Sequence, residues 1–298
     1  MTYTAAQKCL VKESMKSRSC VSRQRFFTPW MSKTLLLIAT VGLCACETVQ
    51  TTQGGTVGVD RPQRMVVSSA EMNQSAQAQY TELMNAESQK GALNRNPGQT
   101  SRVRAVANRL VAQTPVFRPD ARSWNWEVNV ISAPEINAWC MPGGKIAVYT
   151  GLLEKLQLSD DELAAVMGHE MAHALREHAR ERASEQAVAG IGISVLSAAL
   201  GAGDLGQQGM QYAYMGLLGL PNSRAHETEA DRIGIELAAR AGYNPRAAIT
   251  LWQKMEQAGG AEPPKFLSTH PAREDRLRDL TDYAQRVEPL YQQARARR

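Results

Sequence analysis

The chain has 298 residues, 43% of them hydrophobic and 21% charged, enough to bury one large core or two small ones. Its formal net charge of +5 sits in the leader: residues 1–46 hold seven basic side chains (Lys8, Lys12, Lys16, Arg18, Arg23, Arg25, Lys33) against Glu13 alone. The remainder carries 27 basic and 28 acidic residues, a net of −1, which excludes nucleic acid and other polyanions as partners, since a binding domain should carry the positive excess itself.

Residues 1–30 read as an over-long or extended leader rather than as fold. Met31-Ser32-Lys33, the apolar run Leu35–Leu43 and Leu43-Cys44-Ala45-Cys46 then follow the order of a secretory signal, with an apolar stretch too short to span a bilayer. Leu, a tolerated residue, a small residue and Cys resemble the bacterial lipobox, so residues 31–45 are expected to be a lipoprotein signal and Cys46 the lipidated first residue; an ordinary signal peptide is the alternative. The address implied is the periplasm, lipid-anchored, with the outer membrane favoured because Glu47 is not Asp. Cys140 is then left without an internal partner and reads as a small buried hydrophobe.

Residues 46–68, rich in Thr, Gln, Gly and Val, read as a flexible linker, and 69–298 as the folded domain. Helical spacing covers 69–90 and 99–114, the second stopped by Pro115. Trp124–Ile131 alternates as a half-buried strand. Ile136–Met141 and Lys145–Tyr149 flank Pro142-Gly143-Gly144 and predict a β-hairpin. Ser159 with Glu162 forms a capping box opening a helix that should run through His169 and His173 and well beyond. Residues 187–220 read as a buried helix with a glycine-rich loop suited to a lid, or else as a membrane hairpin. Helices are expected near 223–241, 245–258 and 271–295. The fold class is mainly α with a small β-sheet or hairpin.

His169-Glu170-Met171-Ala172-His173 is an HExxH motif. On a helix, positions i and i+4 share a face, so both imidazoles can reach one ion, with Glu170 beside them as general base. Neutral imidazoles bind Zn²⁺ without cancelling its charge, and a free carboxylate can then carry the proton from water to the departing amine. A metzincin would need Gly and His where Arg176 and Ala179 stand, so a carboxylate is expected as the third ligand. Downstream, Glu227 and Asp231 are four apart and share a face: a ligand, and an acid that bonds a ligand histidine. Glu229, about 200° round the helix, should point elsewhere, although it is the competing candidate. His226 reads as flanking, near the cleft.

The HEMAH motif, the Ser-Arg-x-x-Glu-x-x-x-Asp segment from Ser223 and the Asn-Ala-x-x-x-Pro-Gly-Gly-x-Ile-x-Val-x-x-Gly-Leu run from Asn137 to Leu152 resemble the gluzincin peptidases related to HtpX and the CAAX prenyl proteases, most closely their periplasmic branch typified by BepA and the lipoprotein LoiP. The resemblance covers roughly residues 70–290. It implies a gluzincin-type helical domain around one zinc ion per chain, held by His169, His173 and Glu227. The implied activity is a metalloendopeptidase in quality control of envelope proteins, with unfolded or misassembled envelope proteins as substrates and outer-membrane assembly machinery as a further partner. A zinc-stabilised chaperone or assembly factor with little proteolysis is the alternative. Ser268-Thr269-His270-Pro271, with Arg276 beyond, resembles a segment that masks the zinc with a histidine. His270 is thus a gate or a catalytic donor, or simply a cap before Pro271. The hairpin from Asn137 through Gly143 and Gly144 would offer a substrate-binding edge strand, or be an ordinary core hairpin.

Overall fold

The computed structural model describes residues 47–199, 223–259, 264–271 and 273–297. The leader, Cys46 and most of the expected lid lie outside them, and among the described residues no helix is long and apolar enough to cross a membrane.

Two short strands open the described chain, β1 (Glu47–Val49) and β2 (Gln63–Met65), paired antiparallel. Helix α1 (Ser69–Gln89) starts at a capping box of Ser68 and Glu71, and α2 (Pro97–Val111) at the Asn96 side chain with Pro97 in its first turn. Two 3₁₀ turns, Thr114–Val116 and Pro119–Ser123, lead into β3 (Glu127–Ile131). The hairpin follows as β4 (Ala138–Met141) and β5 (Lys145–Tyr149), and the sheet order is β3-β5-β4, with β3 parallel to β5. Gly143 and Gly144 turn it with φ of +80° and +85°, and a Cβ on Gly144 would lie 2.7 Å from the Trp126 ring.

Alternation places Ile146 and Val148 in the main core, while Ala147 joins Tyr80 and Met84 of α1 in a second cluster. The sheet therefore sits between α1 and the remaining helices. These are α3 (Thr150–Lys155), α4 (Asp160–Leu175), α5 (His178–Ala199), α6 (Arg224–Arg240), α7 (Ala247–Gln257), the short α8 (Lys265–Thr269) and α9 (Arg276–Ala296). The architecture is mostly helical with small sheets, as the sequence predicts.

Helices α4 and α6 form the most extensive pairing, and α4 also packs against β4, α7 and α2. Two glycines permit the close crossing: a Cβ on Gly168 would meet the Gly234 carbonyl oxygen at 2.8 Å, and one on Gly234 the His169 amide nitrogen at 2.7 Å. The HExxH helix and the helix bearing Glu227 therefore approach backbone to backbone.

Two expectations are corrected. The helix through His173 does not run on: it ends at Leu175, and Glu177 takes a left-handed φ of +52° before α5 begins at His178. Residues 47–68 are not a loose linker either, for Val57, Val59 and Met65 are buried apolar residues and Gln63 is fully enclosed. Their polar groups are paired. The Thr56 and Val57 amides donate to the Glu236 carboxylate, and the Gln63 amide donates to the Arg176 carbonyl and to Glu181. Polar residues can be buried where every group finds a partner, and hydropathy alone does not register that.

Candidate metal centre

All five histidines of the chain are buried, at 8% exposure or less, and all five converge behind or around the α4–α6 crossing. His169 and His173, one turn apart on α4, point their Nε2 atoms to within 3.1 Å of one another. Glu227, in the first turn of α6 behind the Ser223 cap, brings Oε2 to 3.6 Å from His169 Nε2 and Oε1 to 3.4 Å from His173 Nε2. His270, which ends α8, completes the group: its Nδ1 lies 3.2 Å from His169 Nε2 and 3.0 Å from Glu227 Oε1. The Phe266 amide donates to the Ile136 carbonyl at 3.2 Å, tying α8 to the hairpin's lead-in.

This donor set fits a zinc ion. Four ligands at 2.0–2.1 Å in tetrahedral array stand about 3.3–3.4 Å apart, and the distances above run from 3.0 to 3.6 Å. The tautomer agrees. His169 Nδ1 lies 3.0 Å from Asp231 Oδ1, a pure acceptor, so Nδ1 carries the proton and Nε2 offers a lone pair to the centre. A cation suits such a converging set of lone pairs and carboxylate oxygens.

Desolvation would raise the Glu227 carboxyl, but the close approach of the His173, His270 and His169 rings holds it well below the usual carboxylate range. Asp231 is likewise opposed by burial, yet Arg276 and His169 bring it down to about 2. The Arg276 guanidinium spans both acids, donating to Glu227 Oε2 at 3.1 Å and Asp231 Oδ1 at 2.7 Å, and it lies on the Trp252 ring. Glu170 behaves differently. Burial pushes its carboxyl up, and Oε1 is enclosed without a hydrogen-bond partner, 3.4 Å from His270 Nε2.

Behind this group lies a second buried network that the sequence reading did not anticipate. His178 Nδ1 is 2.8 Å from His173 Nδ1, and its Nε2 is 3.0 Å from Glu229 Oε2. Glu229 accepts from Arg176 and Arg61, and Arg61 also pairs with Glu181. Glu229 thus points away from the four-donor group, as its helical angle predicts. His226 is not at a cleft; it stacks on His178 and bonds Glu181. The signal for His178 was its place three residues past the true end of α4, hidden because nothing in the sequence marks Glu177 as a helix break. Of the expected substrate-binding residues, Asn137 is buried, its carbonyl accepting from the Tyr149 amide; Gly143 and Gly144 make the hairpin turn; and β4 ends the sheet order beside α4. The Cys140 thiol is pushed well up by burial, in keeping with a structural role.

A helical domain that converges two helix-borne histidines and a carboxylate from a neighbouring helix has the constitution of a metallopeptidase. The sequence profile of Peptidase family M48 matches residues 97–284, and the chain belongs to that family. The mitochondrial metalloendopeptidase OMA1 of Arabidopsis thaliana is 38% identical over 164 residues, covering 52% of this chain and 31% of that protein. Metalloendopeptidase OMA1, mitochondrial, of Bos taurus is 37% identical over 189 residues, 60% of this chain and 36% of its own. The putative beta-barrel assembly-enhancing protease of Vibrio cholerae is 35% identical over 179 residues, 54% of this chain and 37% of its own. The chain thus matches only about a third of each of these relatives' lengths.

Proposed function

We propose that this protein is a zinc-dependent endopeptidase that degrades misfolded or misassembled cell-envelope proteins, placed at the outer membrane by a lipid on Cys46 and belonging to the LoiP-like lipoprotein branch. The observation that carries the chemistry is the tight convergence of donor atoms on His169, His173, Glu227 and His270, all within 4.8 Å of one another, with the orphaned Oε1 of Glu170 beside it. Support for the substrate class comes from the similarity to a putative beta-barrel assembly-enhancing protease, and support for the address from the lipobox at Cys46.

When bound there, zinc would acidify a water and polarise a peptide carbonyl. The chain's residues do the remainder. His169, His173 and Glu227 are the resident ligands, and Asp231 fixes the His169 tautomer. Glu170 Oε1 takes a proton from the attacking water and delivers it to the leaving nitrogen; its upward-shifted carboxyl suits a base that must also act as an acid. His270 holds the fourth position in this arrangement and must yield it to water and substrate, the behaviour of a gate. An extended substrate would add to the edge strand β4, read by main-chain bonds, with Asn137, Gly143 and Gly144 at its two ends.

The test pairs zinc analysis with digestion of an unfolded protein, wild type beside Glu170→Gln. The variant should keep one zinc and lose cleavage by about 10²–10⁴-fold. Full proteolytic activity in Glu170→Gln would rule out the assignment.

A further inference from the structure

His178, Glu181 and His226 present ligand atoms close together, which invites a second metal site. Ring geometry argues against it: His178 and His226 are stacked, 4.3 Å apart and inclined by only 19°. Imidazole lone pairs lie in the ring planes, so two rings stacked face to face in nearly parallel planes do not converge on one ion. Glu181 is also already taken by Arg61, Gln63 and His226. A different role follows from the hydrogen-bond directions.

We infer that His178, backed by Glu229, is a positioning residue that fixes the orientation and tautomer of His173; the inference rests on reading His173 as a metal ligand. The argument starts from Glu229, a carboxylate held by Arg61 Nε at 2.5 Å and Arg176 Nε at 2.9 Å, and therefore ionised and acceptor-only. The His178 nitrogen 3.0 Å from it, Nε2, must carry a proton. His178 Nδ1 faces His173 Nδ1 at 2.8 Å, and that contact tolerates a single proton, since two N–H groups cannot oppose each other at this distance. His173 Nε2 must be bare to serve as a ligand, so the shared proton belongs to His173 Nδ1, and His178 accepts it. One carboxylate thereby dictates, through one intervening ring, that His173 turns its lone pair toward His169 and Glu227.

The two ligand histidines are thus steered by unlike devices. His169 is backed directly by an anion, Asp231. His173 is backed by a neutral ring, with the anion one step removed and neutralised by Arg61 and Arg176. His178 is wholly buried, which gives the contact no competing water. The helix break at Glu177 is what makes it possible: on a continued helix, position 178 would lie five residues past His173 and off its face.

The full chain is the test object, with zinc affinity read by competition against a chromophoric chelator. Wild type should bind one equivalent. His178→Leu should bind about 10- to 100-fold more weakly, the usual loss for an outer partner of a ligand histidine. His178→Asn, whose amide oxygen can occupy the Nδ1 position, should recover most of that loss. An affinity in His178→Leu within about twofold of wild type would overturn the proposal. Should neither variant fold, long-range ¹H–¹⁵N correlation on zinc-loaded wild type decides. Nδ1–H on His173 with Nε2–H on His178 is expected, and a His178 protonated at Nδ1 overturns the inference. If wild type takes up no stoichiometric zinc, or His173→Ala binds as well as wild type, the ligand assignment fails and takes this inference with it.

Discussion

Gly168 and Gly234 stand back to back where α4 crosses α6, each leaving no room for a methyl group against the other's backbone. Gly168 immediately precedes His169, so the spacing of the crossing also sets how far the imidazole pair lies from Glu227. Gly234→Ala should force the helices apart against a close-packed core and cost about 1–3 kcal/mol, read as a lower urea midpoint at unchanged slope. Zinc should bind more weakly in the same variant. A midpoint equal to wild type would show that the crossing has slack.

Glu227 and Glu229 lie two residues apart and should fail differently. Glu227→Ala should abolish stoichiometric zinc. Glu229→Ala removes the partner of the fully buried Arg176, and breaking such a pair from one side costs about 3–5 kcal/mol. Its signature should be loss of stability, with one weakly bound zinc still found in the folded fraction. Loss of zinc from Glu229→Ala equal to that from Glu227→Ala, in folded protein, would mean that the wrong carboxylate was chosen.

His270→Ala removes the fourth donor and should raise basal digestion of an unfolded substrate by several-fold while one zinc is retained. A lower rate would favour a catalytic donor, and an unchanged one a cap before Pro271.

Acid should loosen the packed N-terminal segment first. Burial opposes the charge on Glu181, but Arg61, His226 and Gln63 hold its carboxyl far below its ordinary value of 4.5. A depressed folded-state pKa means that the stabilisation is complete above the unfolded value and is lost as pH falls below it. Urea midpoints should therefore drop from about pH 5 down to pH 3 in wild type. Glu181→Gln should be weaker at neutral pH and fall less across that range. Parallel curves for the two proteins would exclude Glu181 from the acid response.

Much of the site was legible because its signals are periodic. HExxH places two imidazoles by helical spacing alone, Ser159 and Ser223 mark the starts of the helices that carry the ligands, and Pro142-Gly143-Gly144 announces the hairpin. What escaped detection was tertiary. The break at Glu177 carries no glycine, so a non-glycine residue in left-handed backbone concealed the return of His178. Residues 47–68 looked like a spacer because Gln63, Arg61 and Thr52 are polar; their partners, Glu181, Glu229 and Arg176, lie more than a hundred residues away. Burial by pairing leaves no hydropathy trace.

That packed segment bears on reach. If Cys46 bears the acyl chains, the first residue of β1 follows it directly, and one residue spans only about 3.5 Å. The folded body would then have no leash: it would graze the lipid surface and meet only polypeptides that arrive there, while proteins free in the surrounding fluid would pass out of range.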